Sequence, residues 1–484
     1  MGREQQIIDE RLRKIKEMRK NKINPYAYRF DKKQNCAECL SLKIGSKIKT
    51  AGRLMTTRNL GKIAFANLQD ASGKIQIVLQ EGETPAKVRE FFKKFADAGD
   101  VVGVEGGIIK TRTGEISILV KKLEILSKAV LPLPEKWHGL KDIEERYRKR
   151  YLDMNMNPEV RKIFETRARI LEVMRSFMKE KNFVEVETPL LQTIYGGASA
   201  KPFKTHCDAY DSDLYLSIAP ELFLKKCLVG GFDRVYEITK KFRNEGVDRQ
   251  HNPEHMTIEW YQAYADYSDG MDLFEELIKK IAKEIFGKFV FEYQGQRIDL
   301  SKWKRMGILD AIKKYLDEDV SKIKSDAEAK KIAKKHDIDV NRITRINLPD
   351  ELMKLFRHKL IQPIFLTDYP IELAPLAKPK RGDPTKAEIF QPFVGGMELG
   401  RAYSELNDPA LQTEHFEEQE KERAKGNEEA METDRDFVTA LEHGMPPACG
   451  VGIGIERVVM LFTNSSSIRD VIIWPFMKPS GEIK

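Results

Sequence analysis

A small all-β barrel followed by a larger α+β region is the architecture this sequence predicts, and three observations carry that expectation. From about Lys47 to Leu126 the chain runs as short alternating apolar segments divided by glycine. From Val160 to about Lys181 apolar residues recur at helical spacing instead. Beyond them, Asp233–Phe242 and His255–Tyr264 alternate like strands on either side of an Asn252-Pro253 loop. With 484 residues the chain is too long for one ordinary core, so two or three domains are expected.

Taken in order, residues 4–22 read as a basic helix ending near Asn24-Pro25, within a basic N-terminal extension, 1–46. The net charge of +8 sits there, because residues 1–50 carry 14 Lys and Arg against 6 Asp and Glu. Such a block fits contact with a polyanion, and it fits a solvated helix face equally well. Residues 47–130 supply segments at Ile48–Leu54, Ala64–Leu68, Lys74–Leu79, Val101–Val104 and Ile116–Val120, with turns at Gly73 and Thr113-Gly114. A helix is expected over Ala86–Ala98. Five strands with a helix after the third is the order of an oligonucleotide-binding (OB) barrel. Residues 131–160, with Pro132, Pro134 and the charged Lys141–Arg150, form the linker, and 161–484 form the larger domain. Its first helix carries Ile163, Ile170, Met174, Phe177 and Met178 at helical spacing, and a strand is expected to run on to Pro189. A lysine-rich helical insertion spans about 271–360 and offers no assignable chemistry. Glu414–Glu432 is a dense charge run, expected as one solvated helix.

Composition narrows the class. Hydrophobic residues at 41% and charged residues at 33% are those of a soluble globular protein, and no apolar run is long enough to cross a bilayer. The charged start, Met1-Gly2-Arg3-Glu4-Gln5-Gln6, predicts neither a secretory signal nor a myristoylation site. Five cysteines, an odd number, argue against a disulfide framework and for a reducing cytoplasmic location. Cys36-Ala37-Glu38-Cys39 has metal-site spacing. No second Cys or His pair follows at zinc-finger distance, so two small residues on a helix is the expected reading.

Two arginines more than two hundred residues apart carry the chemistry: Arg243 in Phe242-Arg243-Asn244-Glu245, and Arg457 in Gly452-Ile453-Gly454-Ile455-Glu456-Arg457. A guanidinium is permanently charged and forked, so it suits phosphate and carboxylate oxygens. A folded pair of them is what a site activating an acid with ATP needs. Strand alternation puts Thr257, Glu259 and Tyr261 on one face, with Met256, Ile258 and Trp260 on the other. Taken alone, that strand is better read as an ordinary half-exposed hairpin. A second segment changes the balance, since alternation also aligns Arg401, Tyr403 and Glu405. Two strands, each with a carboxylate and an aromatic hydroxyl, suit an ammonium desolvated between Glu259 and Glu405. An uncharged guest would leave the two carboxylates facing each other, at a cost.

With those residues in view, the chain resembles class II lysyl-tRNA synthetases over nearly its full length. Phe183-Val184-Glu185-Val186-Glu187-Thr188-Pro189 looks like motif 1. Arg243-Asn244-Glu245-Gly246 with His251-Asn252-Pro253-Glu254 looks like motif 2, and Gly452–Arg457 looks like motif 3. Gly196-Gly197-Ala198, Pro202-Phe203-Lys204-Thr205-His206 and Ile218-Ala219-Pro220-Glu221-Leu222 match the lysine enzymes rather than their aspartate and asparagine relatives.

The resemblance implies an α+β catalytic domain on an antiparallel sheet, of class II synthetase type, behind an N-terminal all-β OB-fold barrel. It implies a homodimer through the motif 1 region, with tRNA(Lys), ATP and L-lysine as partners and no membrane. Arg243 and Arg457 are the implied catalytic residues, bridging the lysine carboxylate to the α-phosphate and holding the γ-phosphate. Glu245 and His251 belong to the ATP loop, and His255 stacks on adenine. Glu221 and the Gly197 backbone take the α-ammonium. Glu259, Tyr261 and Glu405, with Tyr403 beside them, take the side-chain ammonium. Glu398 holds Mg²⁺, with Gln391 as a second metal position. Arg53, Phe65, Gln76 and Glu115 of the barrel meet the anticodon, by stacking and base-edge contacts.

Three positions depart from the usual family pattern: Gln391 replaces a metal-binding Glu, His255 a stacking Phe, and Arg401 an Asn that faces the substrate carboxylate. Arg401 could serve that carboxylate better, or repel an incoming ammonium. The expected activity is lysine–tRNA ligation by way of lysyl-adenylate. The alternatives are a class II ligase for another amino acid or a lysine analogue, and an inactive tRNA-binding paralogue.

Overall fold

The computed structural model describes residues 2–134, 140, 142–424 and 431–479. Residues 135–139 and 141 of the expected linker, and 425–430 of the charge run, lie outside the described residues. The chain divides into two compact units, Met1–Lys141 and Asp142–Lys484.

In the first unit the basic helix is Arg3–Lys20, with Glu4 in its first turn and Arg19 and Lys20 in its last, complementing the helix dipole. It is fastened to the barrel rather than standing apart. Ile15 and Met18 are buried, and the Arg11 guanidinium donates to the carbonyls of Ala98 (2.7 Å), Ala129 (3.1 Å) and Leu131 (2.7 Å). The five strands are Lys47–Asn59, Ile63–Gln69, Lys74–Gln80, Val101–Lys110 and Ile116–Ser127, with the helix Ala86–Phe95 after the third, as expected. They close because the first strand pairs antiparallel with both the second and the fourth, while the third and fifth run parallel. Inward residues such as Leu54, Leu68, Ile77, Val104 and Ile118 fill the interior completely. Cys36 and Cys39 lie on the short helix Cys36–Ser41 and are buried in that same core.

The second unit is built on a nine-stranded sheet. Its order is Lys304–Gly307, Ile364–Thr367, Ile389–Val394, Gly400–Ser404, Ala448–Gly454, Glu254–Ala263, Arg234–Phe242 and Val184–Glu185, with Met397–Glu398 paired beside Ile389–Val394. All pairings are antiparallel except those of the two edge strands. One face is covered by the helices Pro158–Glu180, Tyr267–Phe286 and Ile455–Thr463. Ile258, Trp260, Ala402, Val451 and Phe390 from the strands meet Met174, Phe177, Phe274, Leu277, Ile278 and Val459 from the helices there. Glu456, which opens the last of these helices, accepts from Arg167 (2.8 Å) and from the Met256 amide (3.0 Å), tying helix to sheet.

Two expectations need correction. The strand before Pro189 is only Val184–Glu185, because after Val186 the chain gives up ladder pairing and Thr188 turns its amide and hydroxyl to the Glu237 carboxylate instead. The region 271–360 is not one insertion. The Tyr267–Phe286 helix is a wall of the core, capped by Asp266 and Asp269, and Lys304–Gly307 is a strand of the main sheet. What inserts is the cluster of helices Ile308–Leu316, Asp326–Lys335 and Leu348–Phe356, which packs in a second core against Ile364, Leu366, Ile389 and Phe393 of the main sheet.

Candidate active site

The face of the sheet left bare by the helices floors a cavity of about 700 Å³. Strand register sets its pattern. Glu237, Glu259, Gly452 and Arg401 stand in one row across four strands, and Val235, Tyr261, Gly450 and Tyr403 in the next. Alternation thus does what the sequence implied: Glu259, Tyr261, Arg401 and Tyr403 face the cavity, and Ile258, Trp260 and Ala402 face the core. The central strand contributes glycine because neighbours lean over it. A Cβ on Gly450 would lie 2.2 Å from Glu405 Oε1 and 2.2 Å from the Tyr261 ring.

At one end three carboxylates converge. Glu221, opening the helix Glu221–Val229, and Glu259, on the floor, line the cavity, whereas Glu405, directly after the Gly400–Ser404 strand, is fully buried and does not line it. Gly197 closes this end with φ +83, and a Cβ there would lie 2.9 Å from the Glu221 Cβ. Sequence reasoning missed the group between them. Lys225 is fully buried, its Nζ 2.7 Å from Glu221 Oε1 and 2.5 Å from Glu405 Oε2. Burial opposes its charge, but Glu221 and Glu405 outweigh that and raise its pKa above the ordinary lysine value. Burial pushes Glu259 up to about 8, with Glu221 adding to the shift. It pushes Glu405 up to about 8 as well, against the pull of Lys225. The Tyr403 phenol is raised to about 12 by burial, and that of Tyr261 well above its usual value.

The other end is cationic. Arg243 leaves the Arg234–Phe242 strand, its amide donating to Pro253 O (2.8 Å), while its buried Nε has no hydrogen-bond partner. Arg457 donates to the Glu398 carbonyl (2.9 Å) and lies 3.3 Å from His251 Nε2, whose Nδ1 is 2.8 Å from Asp248. Arg401 reaches Gln391. Turned so that its amide oxygen faces the guanidinium, Gln391 accepts from Nε (2.9 Å) and Nη2 (2.6 Å), and its nitrogen meets the Tyr369 hydroxyl. Burial opposes the Arg401 charge as well, but Tyr403, Glu398 and Asp350 hold it above the usual guanidinium range. His255 is lowered to about 3 by burial and by Arg243 and Arg457, so its ring is neutral. Glu245 lines the mouth on an exposed loop.

The helical insertion contributes here too. Asp350, Met353, Lys354 and Arg357, from the Leu348–Phe356 helix and its end, line the cavity, although no chemistry was expected of that segment. Their distance in sequence from every motif hid them. The i, i+4 spacing of Glu221 and Lys225 announces a helix-surface pair but not the burial against Glu405 that makes Lys225 part of the site.

In the first unit, Phe65 and Gln76 share the outer barrel surface through the Asn67↔Gln76 register. Gln76 donates to Glu115 (2.9 Å) and accepts from Ser117 (3.0 Å), so Gln76 and Glu115 form one polar patch. Arg53 is not part of it. It sits opposite Gln69, four residues along the strand from Phe65, and its guanidinium donates to Gly99 O (2.7 Å). Arg58, opposite Phe65 and exposed, is the cation nearest that ring in register.

Comparison with known proteins gives the same division. A family model described as an OB-fold nucleic acid binding domain matches residues 48–126, and one described as tRNA synthetases class II (D, K and N) matches residues 142–478. A lysine–tRNA ligase from Pelotomaculum thermopropionicum is 47% identical over 99% of this chain and 96% of that protein. One from Carboxydothermus hydrogenoformans is 46% identical over 98% of both chains, and one from Moorella thermoacetica 46% over 99% of both. With its barrel, its sheet and its paired carboxylate and guanidinium ends, the chain belongs to the class II tRNA synthetases of the D, K and N group, in the lysine–tRNA ligase family.

Proposed function

We propose that this chain ligates lysine to tRNA(Lys): it activates L-lysine with ATP to lysyl-adenylate and pyrophosphate, then transfers the lysyl group to the 3′ end of the tRNA. The polarity of the cavity carries the reading: the buried carboxylates Glu221 and Glu259 line one end, with Glu405 joined to Glu221 through Lys225, and Arg243 with Arg457 line the other. In activation a lysine carboxylate oxygen attacks the α-phosphorus, and the bond to the pyrophosphate oxygen breaks. Arg243, whose Nε lacks a partner, bridges carboxylate and α-phosphate, and Arg457 takes the terminal phosphate. Glu245 and His251 hold the nucleotide loop, and the neutral His255 ring suits stacking on adenine. Glu221 and the Gly197 backbone receive the α-ammonium, and Glu259, Tyr261, Tyr403 and Glu405 the side-chain ammonium. In transfer the terminal ribose hydroxyl attacks the activated carbonyl and AMP departs.

Mg²⁺, when bound, supplies neutralising charge to the phosphates. Glu398 is the carboxylate suited to it, since this ion is commonly held by one or two carboxylates plus substrate phosphates. Gln391 does not fit as a second ligand, because its oxygen is committed to Arg401. No group of three His, Cys, Asp or Glu side chains suited to a metal occurs among the described residues. The Phe65, Gln76 and Glu115 patch is the surface we assign to the anticodon, and Arg53 is a support of the barrel end. No described helix is long and apolar enough to cross a membrane, and the reading places the enzyme in the cytoplasm. A homodimer through motif 1 fits the exposed Val184, Leu190, Leu191 and Ile194 beside an open sheet edge.

The decisive experiment is amino-acid-dependent ATP–pyrophosphate exchange across all twenty amino acids, with Mg²⁺ and without tRNA. Exchange with lysine alone is expected. Exchange with a different amino acid would replace the substrate and make Arg401 the reason. Silence with all twenty, in folded protein, would favour the inactive paralogue.

A further inference from the structure

Lys225 has no part in the roles above, yet with Glu405 it is a fully enclosed charge at the amine end. Its side chain is 0% exposed. Glu221 meets it from one turn earlier on its own helix, and Glu405 from the end of the neighbouring strand. The Tyr403 and Tyr261 phenols share the same two carboxylates, and the Phe437 ring of the Arg435–Glu442 helix lies 5.7 Å from its Nζ. Two carboxylates and a ring face thus surround the Lys225 ammonium. Glu405 is committed to Lys225 through Oε2, and its buried Oε1 meets no other side-chain donor among the described residues.

The charges can be counted. Glu221 and Glu259 line this end and the fully buried Glu405 joins them through Lys225, three negative charges when all are ionised, and Lys225 brings one positive. The second buried ammonium nearby, Lys241, donates to Ser217 Oγ (3.0 Å) and lies in the field of Glu237 and Glu259. Glu237 is itself fixed by the Thr188 amide (3.1 Å) and hydroxyl (2.7 Å), and it offsets Lys241. Three minus one leaves two negative charges, which a ligand carrying two ammonium groups neutralises. A ligand with one leaves a buried carboxylate that must keep its proton, and so forgoes the second charge-assisted contact that holds a doubly cationic ligand.

We propose that Lys225 is a built-in counter-cation and a specificity-determining positioning residue: it sets the charge of the amino-acid pocket so that only a doubly cationic amino acid balances it. The inference rests on the lysine reading and goes beyond it, because Lys225 selects without touching the substrate. Without Lys225, three carboxylates face two ammonium groups. One carboxylate then keeps a proton in the bound state, where it cannot serve the substrate ammonium.

The test is a double-mutant cycle of Lys225→Met and Glu405→Gln, read by ATP–pyrophosphate exchange and by lysine calorimetry in two buffers of different ionisation heat. Lys225→Met is expected to raise the lysine KM at least about 10-fold, leave the ATP KM unchanged and release fewer protons on lysine binding than wild type. Glu405→Gln restores the balance, since two carboxylates then face two ammonium groups. It should therefore cost less in the Lys225→Met background than in the wild type. Additive losses with unchanged proton release would make Lys225 a packing residue and overturn the proposal. If Lys225→Met alone does not fold, the double variant is expected to fold, and a double variant that fails would also overturn it. Wild-type protein inert toward lysine would instead sink the underlying functional reading, whatever the variants do.

Discussion

Glu259 is the residue on which the amino-acid end turns, because it is the carboxylate there that has no lysine ion-paired to it. Its pKa and that of Glu405 are pushed up to about 8 by burial, so below that pH the empty pocket keeps protons there. A bound ammonium favours the ionised carboxylates, so binding lysine expels those protons. The lysine KM should therefore fall as pH rises from about 6.5 to about 8, then rise again as the substrate loses its ammonium protons, the α-ammonium first and the side chain near its ordinary value of about 10.4. A KM flat through that range would show the carboxylates already ionised in the empty protein. Glu259→Gln removes the charge while keeping the shape. It should raise the lysine KM by about 30-fold or more, the cost of a lost charged hydrogen bond, and leave the ATP KM within about twofold. Equal losses for both ligands would mean that Glu259 faces something other than an ammonium. His255 makes the opposite case: with a pKa near 3 it stays neutral, so it adds no pH dependence to ATP binding.

At the level of the element, what could be read ahead of the structure is what depends on local period. Two-residue alternation put Glu259 and Tyr261 on one face and Trp260 on the other, and the strands honour it because the Trp260 face meets a packed helix layer. The five barrel strands were legible for the same reason. Contacts made across elements were not. Lys225 is invisible as a site residue until the Glu221–Val229 helix is docked against Glu405, and Asp350 and Arg357 reach the cavity only once their helix has packed against the edge of the main sheet. Gln391 illustrates the limit of analogy: its place in the motif suggested a metal ligand, but its amide is taken by Arg401, which sequence spacing alone could not pair with it. That pairing gives a prediction at this scale. Gln391→Leu removes the acceptor from a deeply set guanidinium and should destabilise the protein by about 1–3 kcal/mol, measured by denaturant unfolding. An unchanged stability would mean that Arg401 finds another partner.

The whole molecule separates two jobs that its two units make testable one at a time. The amino-acid chemistry lies wholly within Asp142–Lys484, since every residue lining the cavity belongs to it. The barrel is closed and filled by its own interior, so its outer surface can change without disturbing that core. Phe65 is half-buried on this surface, beside the Gln76–Glu115 pair, in the position of a stacking platform rather than of a core ring. Stacking of a base on an aromatic ring is worth about 1–3 kcal/mol, or about 5- to 150-fold in binding. Phe65→Ala should therefore raise the tRNA KM in the charging reaction by a factor in that range, while ATP–pyrophosphate exchange, which needs no tRNA, keeps its wild-type rate. A loss in both assays would place Phe65 in the fold of the barrel. A loss in neither would move the nucleic-acid surface elsewhere, with the exposed Arg58 across the register from Phe65 as the next residue to change.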